Sequence, residues 1–125
     1  MTSVFSYHQG VEVELITPGP GSSFHRKDMD ERGEIVLQHL GFQVSNLDQW
    51  VQRLSAQGAP LRVRGGGYLG PIKAEFAYFD TVDQVGTVIE LISLHVLGVH
   101  VMPFARLNAL IGAYQLRSGK RCWRL

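Results

Sequence analysis

Residues 35–60 read IVLQHLGFQVSNLDQWVQRLSAQGAP, and a change of period inside this stretch decides the fold class. Up to Val44 the chain follows strand logic. Val36, Leu40, Phe42 and Val44 share or flank one face, and Leu37, His39, Gly41 and Gln43 occupy the other. Beyond Val44 the period becomes helical, with Leu47, Trp50, Val51 and Leu54 on one apolar stripe. Ser45 is the expected N-cap, with Asp48 at the capping-box position and complementing the helix dipole. Gly58 offers a C-terminal stop and Pro60 prevents continuation.

Outward from this strand and helix, the pattern continues with strands. A short strand is expected at residues 61–64, a glycine-rich turn at 65–67, a strand at 73–79, a turn at 80–86 and a strand at 87–94. The order over residues 35–94 is therefore β-α-β-β-β. Its helical crossover is compatible with parallel or mixed pairing, and its later turns with a meander. The glycine triplet lacks a following amphipathic helix and a Lys-Ser/Thr pair, so it is no phosphate-binding loop; a plain turn is a simpler reading than a loop over a pocket.

Towards the N-terminus, VEVELIT at residues 11–17 alternates Val11, Val13 and Leu15 against Glu12 and Glu14, a half-buried strand. Residues 3–7 are its expected hairpin partner. The proline- and glycine-rich residues 18–23 end that strand, and residues 24–33 are either a short helix or a surface loop. Towards the C-terminus, residues 98–102 read as strand. Residues 104–116 read as a helix with Leu107, Leu110, Ile111 and Tyr114 on one stripe, and 121–125 as strand again.

Bulk properties narrow the class. The chain has 125 residues, long enough for one domain with a real core, and its 45% hydrophobic and 18% charged residues describe a globular protein. A formal net charge of +1 gives no electrostatic case for nucleic acid or membrane partners. Arg117, Lys120, Arg121 and Arg124 make the tail basic, which ordinarily just solvates an end. The single cysteine, Cys122, excludes a disulfide within the chain and makes a cytoplasmic home the default. No signal-peptide pattern opens the sequence. The longest apolar stretch, residues 87–101, is interrupted by Glu90, His95 and His100.

Three residues stand where a hydrophobic one would be the easy choice: Glu14 in VEVELIT, His39 in VLQHLGFQV and Glu90 in TVIELISL. A buried carboxylate is expensive unless it pairs, reaches a rim or binds metal. Two carboxylates and an imidazole suit Zn, Fe, Mn, Co or Ni. Taken singly, each is equally well a satisfied or rim-exposed polar residue, and spacing alone does not bring them together.

The runs ELITPGPGSSF (14–24), ERGEIVLQHLGFQVSNLDQWVQRLSAQGAPL (31–61) and FAYFDTVDQVGTVIELISL (76–94) resemble the vicinal-oxygen-chelate (glyoxalase-like) superfamily, and most of all its methylmalonyl-CoA epimerase-like members. The resemblance covers about residues 10–94. It implies an α+β fold in which paired βαβββ modules form a curved mixed sheet and a cleft for a divalent metal ion. It places ligands at His39 and Glu90 on the first and fourth strands of the module at 34–94, and at Glu14 on the last strand of the other module.

One departure stands out. The family carries a β-α-β before the segment matching Glu14, whereas here only a few residues precede VEVELIT. Two arrangements follow from the resemblance. Either residues 97–125 supply the missing β-α-β by circular permutation, with residues 1–18 as the end of that module, or a second subunit completes the cleft. Under permutation the fourth ligand comes from His95 or His100, with His95 nearer the family's spacing.

The implied function is a metal-dependent lyase or isomerase of the glyoxalase or epimerase type. It would act on a small substrate that chelates through adjacent oxygens, such as an acyl-CoA or a keto acid, with Glu14 or Glu90 as base and Glu12 on the same strand face as Glu14. The alternative is a non-catalytic binding protein of the bleomycin-resistance kind, its pocket drawn from Phe5, Tyr7, Phe42, Trp50, Tyr68, Phe76, Tyr78 and Phe79. The resemblance also implies a homodimer.

Overall fold

A computed structural model describes residues 2–8, 11–17, 20, 24–26, 36–102, 113–114 and 117–119. The chain divides into two compact units, one of Met1–Val36 with Pro103–Leu125, the other of Leu37–Met102. In the first, strand β1 (Thr2–His8) pairs antiparallel with β2 (Val11–Thr17), placing Phe5 opposite Glu14 and Tyr7 opposite Glu12. The pairing is the hairpin expected, but its faces are not: Val11, Val13 and Leu15 are exposed, and Glu14 and Ile16 are the half-buried residues. Phe24, His25 and Arg26 are helical. The tail is described only at Ala113, Tyr114 and Arg117 to Gly119, so the expected strand at 121–125 and Cys122 lie outside the described residues, as does most of the helix expected at 104–116.

The second unit realises the β-α-β-β-β order. Strand β3 (His39–Gln43) leads into helix α1 (Leu47–Ala56), then β4 (Leu61–Leu69), β5 (Ile72–Phe79), the single helical turn α2 (Val82–Val85) and β6 (Val88–Val96). The sheet order is β3-β6-β5-β4, with β3 parallel to β6 and the other neighbours antiparallel. The fold is thus α+β with a mixed sheet. A short β7 (Val99–His100) turns back through Leu97 and Gly98 and pairs with β6, His100 opposite His95.

Side-chain parity gives the sheet two distinct faces. One face packs on α1 and holds the core: Val44, Leu47, Ala77, Phe79 and Leu91 are buried together, with Val51, Leu54, Ala59 and Ile89 against them. The neighbours of those strand residues in sequence, Phe76, Tyr78, Glu90 and Ile92, belong to the other face.

Helix α1 begins one residue later than the sequence suggests. Asn46, not Ser45, is the N-cap, and its side chain accepts from the Gln49 backbone N–H at 3.0 Å. Either residue type caps well; the shift puts Leu47 at the buried start of the stripe, 4% exposed. Asp48 then leaves the cap and pairs with the Arg64 guanidinium on β4. Substituting Asn46→Ala removes one satisfied backbone donor and is expected to cost about 1 kcal/mol in urea unfolding, against a few tenths for Ser45→Ala. At the other end Gly58 takes φ +86°, its N–H bonds the Ser55 carbonyl, and the Ala59 N–H bonds the Leu54 carbonyl. This paired closure requires a left-handed residue, which glycine provides without strain, and Pro60 follows it.

The glycine triplet is not a turn. Gly65, Gly66 and Gly67 continue β4, opposite Phe76, Glu75 and Ala74. At Gly65 and Gly66 the lack of a side chain answers close approach instead: a Cβ on Gly65 would lie 2.6 Å from Phe76 Cζ, and one on Gly66 2.7 Å from the Ala74 carbonyl oxygen, whereas one on Gly67 would meet nothing within 4 Å. The chain reverses further on, between Leu69 and Ile72. No helix among the described residues is long and apolar enough to cross a membrane.

The segment DTVDQVGT (80–87) anchors the start of β3. Buried Thr81 donates its hydroxyl to the Thr87 carbonyl at 2.7 Å, and Thr87 donates its own hydroxyl to the Gln38 carbonyl at 3.2 Å. The Val88 backbone N–H reaches the same carbonyl at 3.4 Å. The residue before His39 is therefore fixed by a segment far away in sequence.

Candidate functional site

His39 opens β3 and Glu90 lies within β6. The parallel register sets His39 opposite Val88 and Gly41 opposite Glu90, so His39 and Glu90 are diagonal neighbours on the face away from α1. His39 Nε2 lies 3.3 Å from Glu90 Oε2, and the two side chains are only 12% and 10% exposed. Tyr78, opposite Glu90 on β5, meets the imidazole edge-on at 5.4 Å between centroids and 89° between planes. Phe76 continues the aromatic row at 5.7 Å from Tyr78. Gly41 leaves space beside the carboxylate, since a Cβ there would stand 3.4 Å from Glu90 Oε2.

The other imidazole nitrogen is committed. His39 Nδ1 lies within hydrogen-bond reach of the Gln38 side-chain oxygen. A neutral ring with its proton on Nδ1 would turn an Nε2 lone pair towards a carboxylate oxygen. The 3.3 Å between Nε2 and Oε2 is within reach of a direct hydrogen bond and also suits a shared divalent ion. Bonds of about 2.0–2.2 Å to one divalent ion, at angles between octahedral and tetrahedral, hold two donors roughly 3.0–3.5 Å apart. His39 and Glu90 thus fit as two ligands of one such ion.

The remaining expected residues are distributed differently. Glu14 is half-buried on β2, in the other unit, and Glu12 on the same strand is exposed. His95 lies five residues after Glu90 on one strand, which puts it on the opposite face of the sheet. There it stands between Lys73 of β5 and His100 of β7, with its Nδ1 3.5 Å from Ser93 Oγ and its ring 5.6 Å from that of His100. A cleft of about 560 Å³ opens on that side, lined among others by Tyr68, Lys73, Glu75 and His95. Glu75 holds the Lys73 ammonium at 2.9 Å, and this hydrogen bond raises the Lys73 pKa above its ordinary value. Among the described residues, no group of three or more His, Cys, Asp and Glu gathers where it could hold one ion.

Of the aromatic residues expected around a pocket, Phe76 and Tyr78 line the row beside His39. Phe79 is core, Trp50 lies under Arg53 on α1, Tyr68 is largely exposed, and Phe5 belongs to the hairpin unit. Two residues not expected at the site adjoin the pair: Gln38, within hydrogen-bond reach of His39, and Gly41, opposite Glu90 in the sheet. A signal existed for Gln38: a second polar residue adjoins the histidine in an otherwise apolar run.

The profile of the Glyoxalase/Bleomycin resistance protein/Dioxygenase superfamily matches residues 1–78. No curated protein sequence matches the chain. Among solved structures, the chain is similar to the crystal structure of methylmalonyl-CoA epimerase from Mycobacterium tuberculosis, at 27% identity and a TM-score of 0.56, over 72% of this chain and 60% of that one. The chain therefore spans less than two thirds of the length of that enzyme.

Proposed function

Because this chain belongs to the glyoxalase/bleomycin resistance protein/dioxygenase superfamily, we propose that it is a metal-dependent lyase or isomerase of the glyoxalase or epimerase type, acting on a small substrate that chelates through adjacent oxygens. One observation carries this reading: the nearly buried His39–Glu90 pair, with its donors 3.3 Å apart and the far nitrogen of the imidazole already engaged. The likeness to an epimerase adds support for proton transfer next to a carbonyl, with an acyl-CoA or keto acid as substrate.

His39 and Glu90 are the two ligands supported by geometry. The family's ligand order assigns a third to Glu14, an assignment that rests on sequence alone. A divalent ion, when bound, would polarise a substrate carbonyl and lower the cost of removing the adjacent proton. The chain's own groups do the rest. Tyr78 and Phe76 present an apolar wall beside His39 that favours exclusion of water. Gly41 leaves the Glu90 carboxylate open from the β3 side. Glu90 or Glu14 is the carboxylate that takes and returns the proton.

The rival reading is a protein that binds its small molecule without turnover. It is favoured by the pairing of only two candidate ligands with an aromatic row among the described residues. Proton exchange separates the two. In deuterated buffer with added divalent metal, wild type is expected to wash deuterium into the position next to the carbonyl of an accepted acyl thioester or keto acid. Glu90→Gln is expected to slow that exchange at least about 100-fold. Saturable binding with no exchange, across a panel of such compounds, would favour sequestration.

A cytoplasmic homodimer belongs to the same proposal. Support for the dimer is apolar surface on the edge strand β3, where Leu40 and Phe42 are 43% and 51% exposed, and the cytoplasmic location rests on the single cysteine.

A further inference from the structure

We infer that Gln38 is a positioning residue, which selects the protonation site of His39 and is itself held by the 80–87 segment. The inference extends the metal-ligand reading of His39 but can be tested without it.

A neutral imidazole carries its one proton on either nitrogen, and only the bare nitrogen can donate to a cation. At His39 the choice is made by the neighbouring side chain. The Gln38 amide oxygen has no proton to give, so it accepts from Nδ1–H and leaves Nε2 as the donor facing Glu90. An amide fixes the ring only if its own backbone is fixed. The Gln38 carbonyl accepts from the Thr87 hydroxyl and from the Val88 N–H, and the Thr87 carbonyl accepts from buried Thr81. A continuous set of hydrogen bonds thus runs from the 80–87 segment to the imidazole.

The choice of amide over carboxylate also has a consequence. A carboxylate behind Nδ1 would add a second negative charge near Glu90 and make the ring a stronger electron donor. The neutral amide orients the ring without that charge, so an ion held by His39 and Glu90 keeps more of its positive charge for an anionic or enolate-like substrate.

The test reads the proton directly. In metal-free protein, nitrogen NMR of the neutral His39 ring should show Nδ1 protonated in wild type. In Gln38→Leu the preference should be lost or reversed, and in Gln38→Glu, which keeps an acceptor of the same length, it should return. Cation affinity measured by calorimetry should fall about 10–100-fold in Gln38→Leu and recover in Gln38→Glu. Melting curves for both variants separate positioning from misfolding, and if Gln38→Leu unfolds, the wild-type and Gln38→Glu spectra still decide.

A wild-type ring protonated at Nε2 would overturn the inference. So would a Gln38→Leu protein with unchanged ring protonation and unchanged affinity. Should His39→Ala retain metal fully, the proposed function fails while the ring's protonation still judges Gln38.

Discussion

Phe79→Ala is expected to lower the unfolding free energy by about 3–5 kcal/mol in urea titration, the largest loss of stability for any single truncation in the Leu37–Met102 unit. Phe79 is fully buried, and it packs with Val44, Leu47, Ala77 and Leu91 where α1 lies on the sheet. Truncation removes most of a large apolar side chain and leaves a cavity that neighbours on three different elements cannot all collapse into. Against a total stability of about 5–15 kcal/mol for ordinary domains, such a loss leaves little margin. Phe42→Ala is the control. Phe42 is 51% exposed on β3, so the same chemical change should cost about 1 kcal/mol or less in a monomer. Equal losses at the two positions would contradict the two-faced sheet described above.

Glu90→Gln is expected to reduce divalent-cation affinity at least about 100-fold in calorimetric titration while leaving the melting temperature far less changed than Phe79→Ala does. The amide matches the carboxylate in size, so β6 keeps its packing between β3 and β5. What disappears is the negative charge 3.3 Å from His39 Nε2. Without it, a cation beside the imidazole would lose its charged donor in a position that water reaches poorly. His39→Gln removes the other donor and should give a loss of similar size. Affinity retained by both variants would place any ion elsewhere in the chain.

How much of this was legible in the sequence depends on the kind of signal. The change from period two to helical period at Val44 marked β3 and α1, and Gly58 marked the end of the helix, because local propensity and tertiary packing agree there. The hairpin of VEVELIT with the preceding strand was legible from strand alternation alone, since its Val11, Val13 and Leu15 are exposed. The glycine triplet was misread as a turn because glycine serves both turns and close approach. Only the cross-strand partner, Phe76 against Gly65, tells the two apart, and that partner is not visible along the chain. The helix start was misplaced by one residue because Ser45 and Asn46 are both good caps, and the burial of Leu47 chose between them.

In the site, His39 and Glu90 were marked by polarity inside apolar strands, and the parallel register of β3 with β6 brings them together. The opposite face of His95 was also written in the sequence. An odd separation along one strand reverses direction, and Glu90 to His95 is such a separation. Glu14 is a different case: no local pattern says what a carboxylate in a two-stranded hairpin meets beyond its own strand partner, Phe5.

The most direct measurement of the central claim is metal content. Purified under metal-replete conditions, the wild-type protein is expected to carry about one equivalent of a divalent ion such as Zn, Co, Ni, Mn or Fe, by elemental analysis. His39→Ala and Glu90→Ala, handled identically, should each lose most of it. A wild type without stoichiometric metal would contradict the metal-dependent reading, and full retention in both variants would contradict the assignment of His39 and Glu90 as ligands.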